Sequence, residues 1–234
     1  MRIFAIGDTH LSRARPKPMD IFGEHWRYHD ERIRENWNAV AVDDDLLLIA
    51  GDVSWAMHLD EARVDLEFLA TLRGRKLLLR GNHDYWWSAI SRLRAAAPEG
   101  IEFLQNDAHV FDGVAIIGAR GWSLPDAPGV TEEDRRIFDR EVGRFELSVV
   151  ALADRKHRYL IAMTHYPPLR RLDQATPMSD AIEKSGASVC VYGHLHGPDI
   201  ATSPQGVRNG VTYELVSADA VDFEPRQIWP LSAG

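Results

Sequence analysis

Residues able to bind a hard cation or move a proton gather at five places in this 234-residue chain, each just after a short apolar run. Asp8 and His10 follow residues 3–6, and Asp52 follows 46–50. Asn82, His83 and Asp84 follow 76–79, His165 follows 159–163, and His194 with His196 follows 188–192. A mixed set of carboxylate, amide and imidazole donors suits Mn, Fe, Zn or Ni, and no thiolate is present in the set to favour zinc. A lone Gly-Asp is ordinarily a turn, and a lone histidine at a strand end is ordinarily hydrogen-bonded or solvated. Five such endings, using five of the ten histidines, are poorly explained by coincidence. Glycine precedes the ligand at Gly7, Gly51, Gly81 and Gly193, as a tight turn or a close backbone approach would require. Asp8/His10 and His194/His196 are spaced i,i+2, which in extended backbone turns both side chains the same way.

The elements that must position these groups are legible as a pattern. The apolar runs, together with 115–118, read as buried strands. Segments 31–42, 59–72, 87–97 and 131–153 read as amphipathic helices, the last opened by Thr131 three residues before Asp134 in a capping-box arrangement. The order β-α-β-α-β, then close strands near 101–119, then α-β-α-β, predicts an α/β sandwich with ligands at strand C-terminal ends. Residues 211–217 and 220–228 read as two further extended segments that extend a second sheet. Segments 12–30 and 123–130 are polar or proline-bearing and read either as loops over a site or as ordinary surface loops. With no linker, repeat or low-complexity tract, residues 1–234 are expected to form one domain.

Formal net charge is −8, which disfavours a protein that grips long duplex DNA by neutralising phosphates. No apolar run is long enough to cross a bilayer. Met1 leads directly into a strand that carries a ligand, so a cleaved leader is not expected and the cytoplasm is the expected location. The single cysteine, Cys190, lies in the apolar run 188–192 and reads as a buried thiol.

Asp8-x-His10, Gly51-Asp52, Gly81-Asn82-His83-Asp84, His165 and Gly193-His194-x-His196 together resemble the five blocks of the calcineurin-like metallophosphoesterases. The blocks occur in that family's order across residues 7–196. The resemblance implies a four-layer α/β/β/α sandwich with two central mixed sheets. It implies that Asp8, His10 and His196 hold one transition-metal ion and that Asn82, His165 and His194 hold a second, with Asp52 bridging them. It further implies hydrolysis of a small phosphomonoester or phosphodiester by a metal-bridging hydroxide, with His83 at the scissile phosphate as the acid for the leaving oxygen. One branch, the phosphoprotein phosphatases, carries Asp then Arg three residues after the bridging Asp. Trp55 and Ala56 stand there in this chain, so the likeness to that branch is weak and the group that orients His83 is open. Asp84 would either help His83 or cap the following helix.

Around these blocks Arg120 is expected to bind substrate, with an ion pair to an acid as its alternative; for Arg80 the alternative is a backbone-capping or ion-pair role beside the Gly81 turn, and for His58 a place merely ahead of a helix. Trp55, Trp86, Trp87 and Trp122 form either a stacking wall or ordinary core. Two other functions compete. A nuclease or nucleotide phosphodiesterase on the same site would want a basic groove, which the composition does not offer. A non-catalytic metal-binding scaffold would be expected to have lost ligands, whereas all seven positions are filled.

Overall fold

In the computed structural model, which describes residues 1–230, the first half of the chain builds one sheet and its helices. In order these are β1 (Ile3–Ile6), α1 (His29–Val40), β2 (Leu46–Ile49), α2 (Leu59–Ala70), β3 (Arg75–Leu79), α3 (Ile90–Ala96) and β4 (Ile101–Leu104). The second half adds β5 (His109–Phe111), β6 (Val114–Ala119), α4 (Glu132–Val150), β7 (Tyr159–Thr164), α5 (Pro177–Lys184), β8 (Val189–Tyr192), β9 (Gly206–Arg208), β10 (Val211–Leu215) and β11 (Arg226–Trp229).

The first sheet has the order β11-β1-β2-β3-β4, and the second β5-β6-β7-β8-β10-β9. Within the first, β1 to β4 are parallel and β11 is antiparallel on the outer edge of β1. In the second, β6, β7, β8 and β10 run parallel, flanked by antiparallel β5 and β9.

The side-chain period of two sorts the second sheet into faces. Ile116, Ile161, Met163, Val189 and Val191 turn into the core shared with the first sheet and with Ile33, Trp37, Leu66, Leu69 and Leu93 of α1 to α3. Their neighbours Ile117, Leu160, Ala162, Cys190 and Tyr192 pack outward on Phe138 and Phe145 of α4 and Met178 and Ile182 of α5. The layers are therefore α/β/β/α, two mixed sheets flanked by helices. Central strands buried on both faces read as unbroken apolar runs, which is why 3–6 and 46–50 carried no polar alternation. Cys190 is a free, fully buried thiol. No helix among the described residues is long and apolar enough to cross a membrane.

Several expected boundaries shift: α1 spans 29–40 rather than 31–42, and α2 ends at Ala70 rather than at 72. α3 begins at Ile90 rather than at 87, because Trp86 and Trp87 are buried in the preceding turn beside Phe103. α4 ends at Val150, and its start carries the predicted box, with the Thr131 hydroxyl accepting from the Asp134 N–H. Residues 220–228 are not one extended segment: Ala218–Val221 form a 3-10 turn and Asp222 and Phe223 take φ of 52° and 61° before β11 begins. That turn carries Asp219, whose use is described next.

Candidate metal centre

Parallel registers bring Ile6, Ile49 and Leu78 level in the first sheet, so the loops after β1, β2 and β3 leave one edge together. Backbone bonds then tie the loops to one another. Asp8 N–H donates to the Gly51 carbonyl (2.8 Å) and His10 N–H to that of Asp52 (3.0 Å). From the second sheet, Gly193 N–H donates to the His165 carbonyl (3.0 Å), and Gly7 N–H donates to Val216 (2.6 Å). All seven expected ligands meet where the two sheets' strand ends converge.

The convergence does not arise by the expected route. Asp8, His10, Asp52 and His194 sit at φ of 56°, 43°, 50° and 75°, so the chain turns left-handed at the ligands instead of continuing extended. Non-glycine residues held there store roughly 1–3 kcal/mol each, a cost typical of functional sites. Two of the glycines are explained by proximity. A Cβ on Gly81 would lie 2.0 Å from Asp52 Oδ1, and one on Gly193 would lie 2.3 Å from Asp8 Oδ2. Only a bare backbone lets these carboxylates approach so closely.

Two groups of donors result. Ligand atoms of Asp8, His10 and His196 lie within 4.8 Å of one another, with His196 Nε2 3.5 Å from Asp8 Oδ1. In the other group, Asn82 Oδ1 is 2.7 Å from His165 Nε2 and 3.0 Å from His194 Nδ1. The Asp52 carboxylate stands between them, Oδ1 3.5 Å from His165 Nε2 and Oδ2 3.9 Å from His10 Nε2. Asp8 also comes within reach of His165, at 4.0 Å, but of its Nδ1, which is already hydrogen-bonded to the Ala50 carbonyl at 2.9 Å. Asp52 is thus the carboxylate that faces inward-turned ring nitrogens on both sides.

The donor set fits cations. His165 and His196 each anchor one ring nitrogen outside the cluster and turn the other inward, the usual dress of a metal-binding imidazole. For His196 the anchor is Asp219, whose Oδ1 accepts from Nδ1 at 2.8 Å. Asp219 was invisible in the sequence, since no pattern links a residue 23 positions downstream to a strand-end histidine. Burial opposes charge on His196, yet the carboxylates of Asp219 and Asp8 outweigh it and push the ring up to about 10. Burial, and then the charge of Asp8, push Asp52 up to about 8. Asp52 and His196 therefore hold protons that a cation would displace, whereas burial keeps His10, His165 and His194 below the ordinary imidazole range.

Two predictions arise here. Asp219→Asn should weaken metal binding by about 10–100-fold, read by chelator competition, while leaving the fold's melting profile in excess metal unchanged. Metal affinity should also rise with pH, by about tenfold per unit for each proton displaced, and flatten for Asp52 above its raised pKa near 8. The sign follows because metal needs the ionised carboxylate, which becomes scarcer as pH falls through that value. Calorimetry in buffers of different ionisation enthalpy would count the protons.

His83 lies beside this cluster. Its N–H donates to Asp52 Oδ1 at 2.8 Å, and its Nε2 stands 4.0 Å from Asp52 Oδ2. Its partner is not Asp84. That carboxylate is fully buried and accepts from Val53 N–H (2.9 Å), Ser54 N–H (3.2 Å), Trp86 Nε1 (3.0 Å) and Gly81 N–H (2.7 Å). It clamps the loop after β2 to the loop after β3, and α3 starts too late for it to cap. His83 is held by packing instead. The Trp55 ring lies 4.5 Å from His83 and stacks on His10 at 4.8 Å, with Lys17 Nζ over its own face at 3.1 Å. Burial, then His165, keep His83 below the ordinary imidazole range.

The aromatic residues divide. Trp55 lines the site, and Trp26, in loop 12–30, meets His196 edge-on at 5.5 Å. Tyr166, not singled out in the sequence, lies 4.1 Å from the His194 ring. Trp86 and Trp87 are core. His58 only precedes α2. Arg120 offers its carbonyl to the His165 N–H at 3.0 Å, but its guanidinium pairs with buried Glu141 at 3.2 Å and lies over Trp122 at 4.5 Å. The ion-pair alternative for Arg120 is therefore present.

The calcineurin-like phosphoesterase family matches residues 1–198, and the chain belongs to that family: it is a metal-dependent phosphoric ester hydrolase. No curated protein matches it in sequence. Two solved structures share the fold. One is phosphopantetheinyl hydrolase from Mycobacterium tuberculosis, 17% identical, with a TM-score of 0.60, covering 98% of this chain and 96% of that one. The other is the Aquifex aeolicus protein of unknown function AQ665, 16% identical, TM-score 0.50, covering 97% and 95%.

Proposed function

We propose that this chain hydrolyses a small phosphomonoester or phosphodiester with two metal ions. Asp8, His10 and His196 would hold one ion, Asn82, His165 and His194 the other, and Asp52 would join them. The observation that carries this reading is the Asp52 carboxylate, whose two oxygens face His165 and His10 from the two donor groups at 3.5 and 3.9 Å. When bound, such a pair of ions lowers the pKa of water and neutralises charge on the phosphoryl oxygens.

The chain's own residues supply the rest. His83 Nδ1 is buried without a partner among the described residues. Its Nε2 edge faces Asp52. As imidazolium, His83 gives its Nε2 proton to the leaving oxygen and reverts to the neutral ring. Trp55 keeps the ring aimed without a carboxylate, a role that needs shape rather than charge. A phosphopantetheinyl ester, the group named for the Mycobacterium protein, is one member of the substrate class and the first to assay.

Metal analysis joined to turnover of aryl monoester, diester and triester probes with Mn²⁺ tests the reading. About two ions per chain and metal-dependent hydrolysis are expected. A chain that binds metal and turns over none of the probes would support the scaffold function instead, and one that binds no metal would overturn both readings.

A further inference from the structure

A small cavity of about 90 Å³ lies at the ends of β3 and β6, among residues with no part in the metal cluster. Arg80, Arg120, Arg144, Ser88 and Glu141 contribute its charged and hydroxyl groups. Three guanidinium groups thus face one carboxylate, an excess of two positive charges. Glu141 is spent on two of them, accepting from Arg144 at 2.6 Å and from Arg120 at 3.2 Å. Arg80 has no acid within ion-pair distance among the described residues, and Arg120 repels it. Of the acids acting on it, Asp84 comes ahead of Glu141, and its oxygens already accept from four donors.

Three polar atoms on this wall, Arg80 Nε, Arg120 Nε and Ser88 Oγ, are buried and lack a hydrogen-bond partner among the described residues. Buried donors are nearly always satisfied, so several orphans around one cavity need a common explanation. A space of this size holds several waters or one small anion. Water would serve the donors but leave the charge excess standing. A tetrahedral dianion answers both, because guanidinium groups present planar paired donors to phosphate oxygens.

We propose that this cavity is an anion subsite for a phosphate-sized dianion, separate from the metal centre and adjacent to it through Arg80, two residues before Asn82, and Arg120, whose carbonyl bonds the His165 N–H. The dianion is either a second phosphate of the substrate or free inorganic phosphate. Only the first source rests on the phosphoesterase reading; the subsite itself does not.

Calorimetric titration of inorganic phosphate into the chelator-treated protein tests the subsite without any turnover. Wild type and Asp52→Asn are expected to bind phosphate alike, and Arg80→Gln at least tenfold more weakly. In phosphate-free buffer, Arg80→Gln should melt about 2–4 °C higher, since it removes an unpaired charge, which also shows that it folds. Absence of binding to wild type, or equal binding by wild type and Arg80→Gln, would overturn the proposal. The source is then read from KM on adenosine 5′-monophosphate and adenosine 3′,5′-bisphosphate as probes. A rise confined to the bisphosphate in Arg80→Gln assigns the anion to substrate, and parallel KM values with phosphate binding still lost assign it to free phosphate.

Discussion

Asp52→Asn should lower kcat on an aryl phosphate by about a thousandfold or more and leave fewer than two ions per chain, because one carboxylate serves both donor groups. The replacement is nearly isosteric. Its amide oxygen can still accept the His83 N–H that Asp52 Oδ1 accepts at 2.8 Å, so the loop after β3 stays in place. What disappears is the negative charge between two cation positions, worth about 4 kcal/mol at the stated loss of rate. Metal content by emission spectroscopy, measured beside kcat, checks both parts. Unchanged turnover with full metal would remove Asp52 from the centre of the proposal.

His83→Ala is the second large effect and differs in kind. It should lower kcat by about 10²–10⁴-fold with metal content unchanged, since the imidazole contributes a proton and no ligand atom. The loss should grow with the basicity of the leaving group. A 4-nitrophenyl ester, which departs as a weakly basic anion, should suffer little, and an alkyl ester most. A variant that merely distorted the site would slow both equally, so the slope of rate against leaving-group pKa is the decisive readout. Complete loss of metal in His83→Ala would instead make His83 a ligand.

The five strand-end blocks were readable because parallel strands place their C-terminal ends on one edge, and apolar runs followed by Asp, Asn or His announce that edge. The same alternation of runs and amphipathic segments pointed to an α/β sandwich, while the four-layer order came from the family resemblance. What lay hidden was created by tertiary contact. Asp219 reaches His196 only because the chain makes a 3-10 turn after β10, and a turn of four residues leaves no periodicity to detect. Trp55 gave a misleading signal, marking a missing carboxylate in one branch of the family, while its ring supplies the packing that holds His83. The left-handed backbone at Asp8, His10, Asp52 and His194 was equally unforeseen, because side-chain type says little about a strained φ that neighbouring loops impose.

Biosynthesis meets this topology in reverse. β1 is made before the other strands described, yet its second edge is covered only by β11, the last of them. Until β11 follows, an apolar strand presents an open ladder, the kind of edge that recruits a neighbouring chain. Asp219 emerges in the same final stretch, so the anchor of His196 and the seal on β1 arrive together. The anchor of His196 and the cover of the β1 edge therefore depend on one short stretch of chain.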